Sequence, residues 1–512
     1  MLLSDIIRFN AARAPGEPAV IMGEATMSFG QLQARSQRLA NAMLAMAQPG
    51  DRVGILAGNR PEYIECYYGV PSAGMALTFL NYRLNPREWA WILDNAEASV
   101  LIVEERFLEA IADQLASLPA IRRVIVIGGT RGIPAGFLDY EAVIAGGRAS
   151  APDVRVDPDD TAWLLYTSGT TGFPKGAMLS HRSLLQGVIA SAIEFHPEAG
   201  ERALIAFPLC HITGYAILMH QMRGGPVVLM PAFEPELWLR HVERYRIMSA
   251  VLAPTMYGFL LEHPKFGDHD LSSLITLGYG AAAMPVEVLR TLIDRFGPIV
   301  YSGFGMTELS GNVLCHPKEA HVRAINGEEQ LLAACGKPMC LAHVKVVDDR
   351  MNECPPGEVG EIVVQGEQLL TGYWRNEAGT SAAFAGGWFH TGDMARRDAE
   401  GFFYIVDRLK DMIITGGENV YSREVEEVLH RHPAVAEVAV IGLPDPDWGE
   451  RVTAVVVPRE GSPLAEAELV QLCRSCLAGF KTPRRVIFAD ALPKNTSGKI
   501  LKRELRERYR TK

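Results

Sequence analysis

The chain has 512 residues, 48% of them hydrophobic, and a formal net charge of -10. At roughly 100–200 residues per domain this predicts several domains, and the acidic balance without a long basic run argues against nucleic acid as a partner. No apolar run reaches the ~18 residues of a membrane span, so no integral membrane span is expected. Met1-Leu-Leu-Ser-Asp-Ile-Ile-Arg-Phe carries charges too early for an export signal. The eight cysteines are scattered along the chain, which predicts reduced thiols and a cytoplasmic protein. Cys473 and Cys476 have a metal-type spacing, but they lie in an apolar helical pattern without a second pair, so packing is expected of them.

Taken in order, the spacing of apolar residues predicts a helix over 32–46 and a buried strand over 51–57. A helix over 62–70 is expected to stop at Pro71. Strands at 76–80, 99–103 and 124–127 follow, with a helix over 86–95. The alternation resumes after residue 180 with helices at 182–194, 235–245 and 286–296 and strands at 202–207, 226–230, 249–254 and 274–280. Strand–helix alternation predicts an α/β fold of parallel-rich sheets covered by helices. From about Gly336 short β segments with Gly/Pro turns predict a β subdomain. After Asp407 the texture changes to a compact α+β domain, with helices at 423–430 and 465–477, strands at 434–442 and 451–458, and a basic helix from Ile500. The expected organisation is 1–406 as a large N-terminal domain, 407–410 as a hinge and 411–512 as a small mobile domain.

Between the strand candidates 162–165 and 177–180 runs Tyr166-Thr167-Ser168-Gly169-Thr170-Thr171-Gly172-Phe173-Pro174-Lys175-Gly176. Glycines allow close backbone approach to a ligand, and successive N–H groups in such a turn form an anion-binding concavity. Four hydroxyls and a lysine add donors and charge, so the loop reads as a polyphosphate cradle. A P-loop needs a second glycine before the lysine, Ser/Thr after it and a following helix. Here Pro174 precedes Lys175, Gly176 follows it, and the next element reads as a strand.

This stretch resembles the signature loop of the adenylate-forming superfamily, which contains acyl-CoA synthetases, aryl-CoA ligases, luciferases and peptide-synthetase adenylation domains. Further stretches resemble its motifs in the expected order. In Phe304-Gly305-Met306-Thr307-Glu308 the resemblance implies that Phe304 stacks on adenine, where the family usually has tyrosine. Gly305 and Met306 would line the nucleotide, Thr307 would bind the α-phosphate, and Glu308 with Thr167 would hold Mg2+. Gly278-Tyr-Gly280-Ala281-Ala282-Ala283 matches the small-residue loop beside adenine and the acyl group. Asp393, in Thr391-Gly392-Asp393, would bind both ribose hydroxyls, a diol that suits a carboxylate acceptor. Arg408 would add a ribose or phosphate contact. Lys410 occupies the hinge position, and Gly416 and Gly417 would let the backbone approach the CoA arm. Lys499, in Pro493-Lys-Asn-Thr-Ser-Gly-Lys499, would reach into the site during adenylation. His211 and Tyr215, in Pro208-Leu-Cys-His211-Ile-Thr-Gly-Tyr215, would line the acyl pocket with Gly280 and Gly305.

The resemblance implies an ATP-dependent carboxylate–CoA ligase with catalytic Lys499, Thr307, Glu308 and Lys175. ATP, Mg2+ and coenzyme A are expected beside a small carboxylic acid, and a homodimer is allowed. A medium- or long-chain fatty acid is favoured over an aromatic acid. Aryl-CoA ligation, carrier-protein loading, luciferase-type oxygenation and a non-catalytic nucleotide-binding relative stand as alternatives.

Overall fold

The computed structural model describes residues 1–129, 132–167, 174–280, 284, 286–494 and 500–510. They pack as two units, Met1–His343 with Gln365–Gly387, and Val344–Val364 with Trp388–Lys512.

The first unit is built on two sheets with helices between strands. In one, Arg52–Leu56, Ala76–Phe79, Ala98–Glu104 and Arg123–Ile127 pair in parallel. Their interior residues are nearly all buried, as expected of strands with helices on both faces. Thr161–Thr167 adds to Ala76–Phe79 in parallel, and Lys175–Ser180 returns antiparallel to it. The second sheet runs Val227–Leu229, Ala203–Ile205, Ser249–Leu252, Thr276–Tyr279 and Val300–Met306 in parallel, then turns antiparallel with Gly311–His316. Aromatic packing fixes the strand that leads into the phosphate-type loop. Trp163 sits 4.6 Å from Tyr67 and 5.2 Å from Phe79 between ring centroids, all fully or nearly fully buried.

Two local expectations are corrected and one hairpin is added. The helix predicted to stop at Pro71 runs Pro61–Ser72 with Pro71 inside its last turn. The helix predicted over 32–46 begins earlier and runs Phe29–Leu44, because Ser28 and Gln31 form a capping box that bonds two terminal N–H groups. Ahead of it, Pro18–Met22 and Ala25–Ser28 form a hairpin that apolar periodicity does not reveal in four- and five-residue strands.

The second unit holds two sheets. His343–Val347, Val359–Gln365, Phe389–Arg397 and Phe403–Arg408 form the β subdomain expected after Gly336. The other sheet centres on the long hairpin Val435–Asp445 and Gly449–Pro458. Helices Ser422–His430 and Glu466–Cys476 bury Val425, Val428, Leu429, Leu469 and Cys473 in its core, whereas Cys476 is exposed.

Candidate active site

In the first unit, Thr167 and Lys175 face each other in register at the end of an antiparallel ladder. The segment 168–173 joins them. Glu308 follows Val300–Met306 in the short turn Thr307–Leu309. The Thr167 hydroxyl donates to Glu308 Oε1 at 3.1 Å, and the Tyr373 hydroxyl donates to the same oxygen at 3.1 Å. Lys175 Nζ lies 5.0 Å from the centre of the Tyr373 ring. Burial, then the Glu308 charge, push the Tyr373 phenol up, so it stays a donor at neutral pH. The Glu308 backbone is held as well, its carbonyl accepting from Leu370 N at 2.8 Å. One oxygen donor of each kind, carboxylate and hydroxyl, is thus fixed at the mouth of a Gly/Thr-rich segment with a cation beside it.

The Phe304–Met306 segment continues the strand Val300–Met306, and the hairpin partner Gly311–His316 meets it with a register shift between Phe304 and Gly305. The shift accounts for Gly305: a Cβ there would lie 1.9 Å from the Gly311 carbonyl oxygen. Gly311 has φ +133°, and its added Cβ would come within 3.3 Å of the Tyr215 ring. Asn312 Nδ2 donates to the Tyr215 hydroxyl at 2.7 Å. Gly280 follows Thr276–Tyr279, whose Tyr279 pairs with Ser302, and so reaches the same sheet end. Gly280, Gly305 and Tyr215 are therefore brought together. Burial pushes the Tyr215 phenol up to about 12.

His211 precedes the turn Ile212–Gly214, which runs into helix Tyr215–Met222. Asn59 sets this segment: it accepts from Leu209 N at 2.9 Å and donates to the carbonyls of Phe207 and Met230, each at 2.9 Å. Among the described residues the buried His211 Nε2 has no hydrogen-bond partner. Burial, then the charge of Arg83, hold the imidazole down at about 4, so it is neutral at pH 7.

The second unit holds Asp393 and Arg408 opposite each other on paired strands. Arg408 Nε lies 3.0 Å from Asp393 Oδ1, and Asp393 N donates to Thr391 Oγ1 at 3.1 Å. Lys410 is exposed just past the strand Phe403–Arg408. Gly416 and Gly417 take φ +58° and +84° between Ile413–Thr415 and Glu418–Val420, a conformation that favours glycine. Gly416 N donates to the Trp448 carbonyl at 2.8 Å. Ser168, Gly169, Thr170, Thr171, Gly172, Ala281, Ala282 and Lys499 lie outside the described residues.

Residues 7–374 match the AMP-binding enzyme family, and residues 424–499 match the AMP-binding enzyme C-terminal domain. The chain belongs to the AMP-binding enzyme family. Among its relatives, a feruloyl-CoA synthase of Amycolatopsis sp is 40% identical over 502 residues, covering 98% of this chain and 97% of the relative. A medium/long-chain-fatty-acid–CoA ligase of Mycobacterium tuberculosis is 36% identical over 517 residues, covering 97% and 88%. Among solved structures, ATP-bound MatB from Rhodopseudomonas palustris has a TM-score of 0.89 at 30% identity, covering 100% of this chain and 99% of that one. The anthranilate CoA ligase AuaEII in complex with anthranoyl-AMP has a TM-score of 0.89 at 27% identity, covering 99% and 97%.

This AMP-binding enzyme is an ATP-dependent acyl-CoA ligase of the adenylate-forming superfamily, using a carboxylic acid, ATP and CoA as substrates with Mg2+. Its donor set fits that metal. Among the described residues no cluster of three or more His, Cys, Asp and Glu is placed to hold a metal ion. Mg2+ needs no such cage, because it keeps several waters and takes one or two carboxylates with substrate phosphates. Among the described residues no helix is long and apolar enough to cross a membrane.

Sequence reasoning missed Tyr373, Asn312 and Trp448. Tyr373 and Asn312 act on Glu308 and Tyr215 from 65 and 97 positions away, so no local spacing signals them. Trp448 had a signal: Trp448-Gly449 interrupts two β-rich runs. In the structure Trp448 is 40% exposed, with Arg484 Cζ 3.8 Å from its ring centre. An exposed tryptophan under a guanidinium is a stacking surface.

Proposed function

We propose that the enzyme activates an aromatic carboxylic acid of the phenylpropenoic type as its acyl-adenylate and transfers the acyl group to CoA. The observation that carries the two-step reading is the Glu308 carboxylate held by Thr167 and Tyr373 beside Lys175. It is a preorganised arrangement of donors, cation and metal ligand around a place for phosphates.

In the first step a substrate carboxylate oxygen attacks the α-phosphorus of ATP. The bond to the bridging oxygen breaks, and pyrophosphate leaves. Glu308 and Thr167 would hold Mg2+, which when bound would supply charge neutralisation on the phosphate oxygens. Thr167, Ser168, Gly169, Thr170, Thr171, Gly172 and Lys175 clamp the departing phosphates, and Thr307 contacts the α-phosphate. Phe304 stacks on adenine beside Gly305, Met306, Ala281 and Ala282. Asp393 and Arg408 take the ribose. Lys499 bridges the carboxylate and the α-phosphate, where negative charge accumulates. In the second step the domain after Lys410 turns, and the CoA thiol attacks the acyl carbon. The thiol proton goes to solvent and AMP leaves. Gly416 and Gly417 admit the CoA arm, with Trp448 and Arg484 as a platform for its nucleotide. The reaction then depends mainly on orientation of thiol and acyl carbon.

The aromatic assignment draws on the feruloyl-CoA synthase relative and on the rigid wall made by Tyr215 against Gly311, pinned through Asn312. His211 and Gly280 complete that pocket. A medium-chain fatty acid is the second reading, favoured by the fatty-acid–CoA ligase relative. The scatter of eight cysteines along a long chain supports a reducing compartment, the cytoplasm. The deciding experiment is AMP release over a panel of hydroxycinnamic, benzoic and C6–C18 fatty acids, each with CoA. A kcat/KM at least about tenfold higher for hydroxycinnamic acids is expected. A maximum on fatty acids would replace the aromatic reading, and no AMP release with any acid and CoA would overturn the ligase reading.

A further inference from the structure

A hydrogen-bonded chain in the second unit straddles the segment 408–410. Asp407 is buried at the end of the strand Phe403–Arg408. Its Oδ2 accepts from both the backbone N–H of Ser422 and the Ser422 hydroxyl, the latter at 2.7 Å. Ser422 opens helix Ser422–His430, so the carboxylate also sits at the positive end of that helix. Lys502 Nζ donates to Ser422 Oγ at 2.5 Å and lies 2.7 Å from Glu426 Oε1. The Glu426 carboxylate in turn accepts from Val440 N at 2.7 Å. Ser422 therefore accepts from a lysine and donates to an aspartate. Its hydroxyl proton has one place to go, and each bond strengthens the other. A second bond makes the same crossing, from Arg423 Nη1 to the Ile405 carbonyl at 3.2 Å.

We infer that Asp407, Ser422 and Lys502 form a latch that holds one of the two orientations of the C-terminal domain, with Ser422 and Lys502 as positioning residues. This rests on the proposed roles of Lys410 as hinge and Lys499 as the adenylation lysine. Asp407 precedes the hinge, whereas Ser422, Glu426 and Lys502 follow it, so rotation about Lys410 breaks the Asp407–Ser422 bonds and leaves those of Lys502 intact. Lys502 also stands three residues after Lys499. Antiparallel pairing of Lys494 with Ile500, and Leu501 N donating to the Pro493 carbonyl at 2.8 Å, tie both ends of the 495–499 segment together. Leu492 and Leu505 are buried in one cluster with Ile441 and Val455. The latch thus connects the strand before the hinge to the base of the segment that carries Lys499.

The test uses the full-length enzyme and its Ser422→Ala and Lys502→Met variants, with Asp407→Asn as a third variant. Two half-reactions are measured, ATP–pyrophosphate exchange with the best acid and thioester formation from supplied acyl-AMP and CoA. Tryptic cleavage after Arg408 and Lys410 is followed without substrates. Loss of a charge-assisted hydrogen bond should shift the ratio of the two half-reaction rates by about tenfold. It should also speed cleavage at the hinge severalfold while the melting temperature of Ser422→Ala stays within a few degrees. Equal rate losses in both half-reactions, or unchanged cleavage, overturn the latch and leave these residues with a structural role alone. If the wild type catalyses neither half-reaction, the ligase reading falls, and the cleavage rates still decide the latch.

Discussion

Thr167 and Glu308, 141 positions apart in the chain, meet through a hydrogen bond of 3.1 Å. Thr167 ends the strand Thr161–Thr167 of one sheet, and Glu308 follows the strand Val300–Met306 of the other. The bond therefore ties two sheets together at the place where phosphates are proposed to lie. Glu308→Gln keeps the shape and removes the charge. It should lower ATP–pyrophosphate exchange by about 10²-fold and raise the Mg2+ concentration needed for half-maximal rate. Tyr373→Phe removes one of the two hydroxyl donors that the described residues give the same oxygen and should cost less than about tenfold. Equal losses in the two variants would show that Glu308 acts through its hydrogen bonds and not through its charge.

The two lysines should separate by half-reaction. Lys175→Ala is expected to raise the KM for ATP, because Lys175 lies beside Tyr373 at the end of the phosphate segment. Lys499→Ala should abolish exchange and spare thioester formation from supplied acyl-AMP. Single-turnover measurement of both steps for each variant checks this, and equal loss in both steps for Lys499→Ala would sink the division of labour.

His220 gives a signed pH dependence. Its Nδ1 stands 3.8 Å from Glu201 Oε1, beyond hydrogen-bond range, and burial holds the imidazole down at about 4. The unfolded chain binds a proton near pH 6.5 that the folded chain refuses until about pH 4. Stability from this group is therefore full above pH 6.5 and declines as pH falls from 6.5 towards 4, by up to about 1.4 kcal/mol per pH unit. His220→Gln should flatten the acid side of a urea-midpoint profile between pH 7 and 5. Were His220 and Glu201 an ion pair, stability would instead fall as pH rises through the histidine's folded pKa.

Gly305→Ala tests the hairpin register. The new methyl would meet the Gly311 carbonyl oxygen at 1.9 Å, and both groups are backbone or attached to it, so the hairpin itself must open. A stability loss of about 1–3 kcal/mol in urea titration is expected, with a fall in activity towards every acid in the panel. Asn312→Leu, which frees the Tyr215 hydroxyl, should alter acid preference more than stability.

The architecture was legible because it depends on periodicity. Val53, Leu101 and Val126 sit in runs that only a buried parallel strand explains, and the helices between them carry apolar faces. Short strands escaped, since Ala25–Ser28 offers four residues with a half-exposed pattern and no strong period. Motif chemistry identified Glu308 and Asp393 as residues of interest but not their supports. Tyr373 and Asn312 look like ordinary sequence, and their meaning arises only when the chain folds back on itself. The glycines after Phe304 are silent in the sequence for a related reason: Gly305 serves a close approach between two strands, which local spacing does not signal.

The Glu308 support has a consequence for how the protein is made. Tyr373 and Leu370 belong to Gln365–Gly387, which rejoins the first unit after the chain has built Val344–Val364 into the second. A ribosome that has released 343 residues has delivered Thr167, Lys175 and Glu308 but neither of these later partners. The nascent first unit must therefore wait, with its acidic corner incompletely braced, until a further thirty residues emerge. Full bracing of Glu308 during synthesis should begin no earlier than the appearance of Tyr373 outside the exit tunnel.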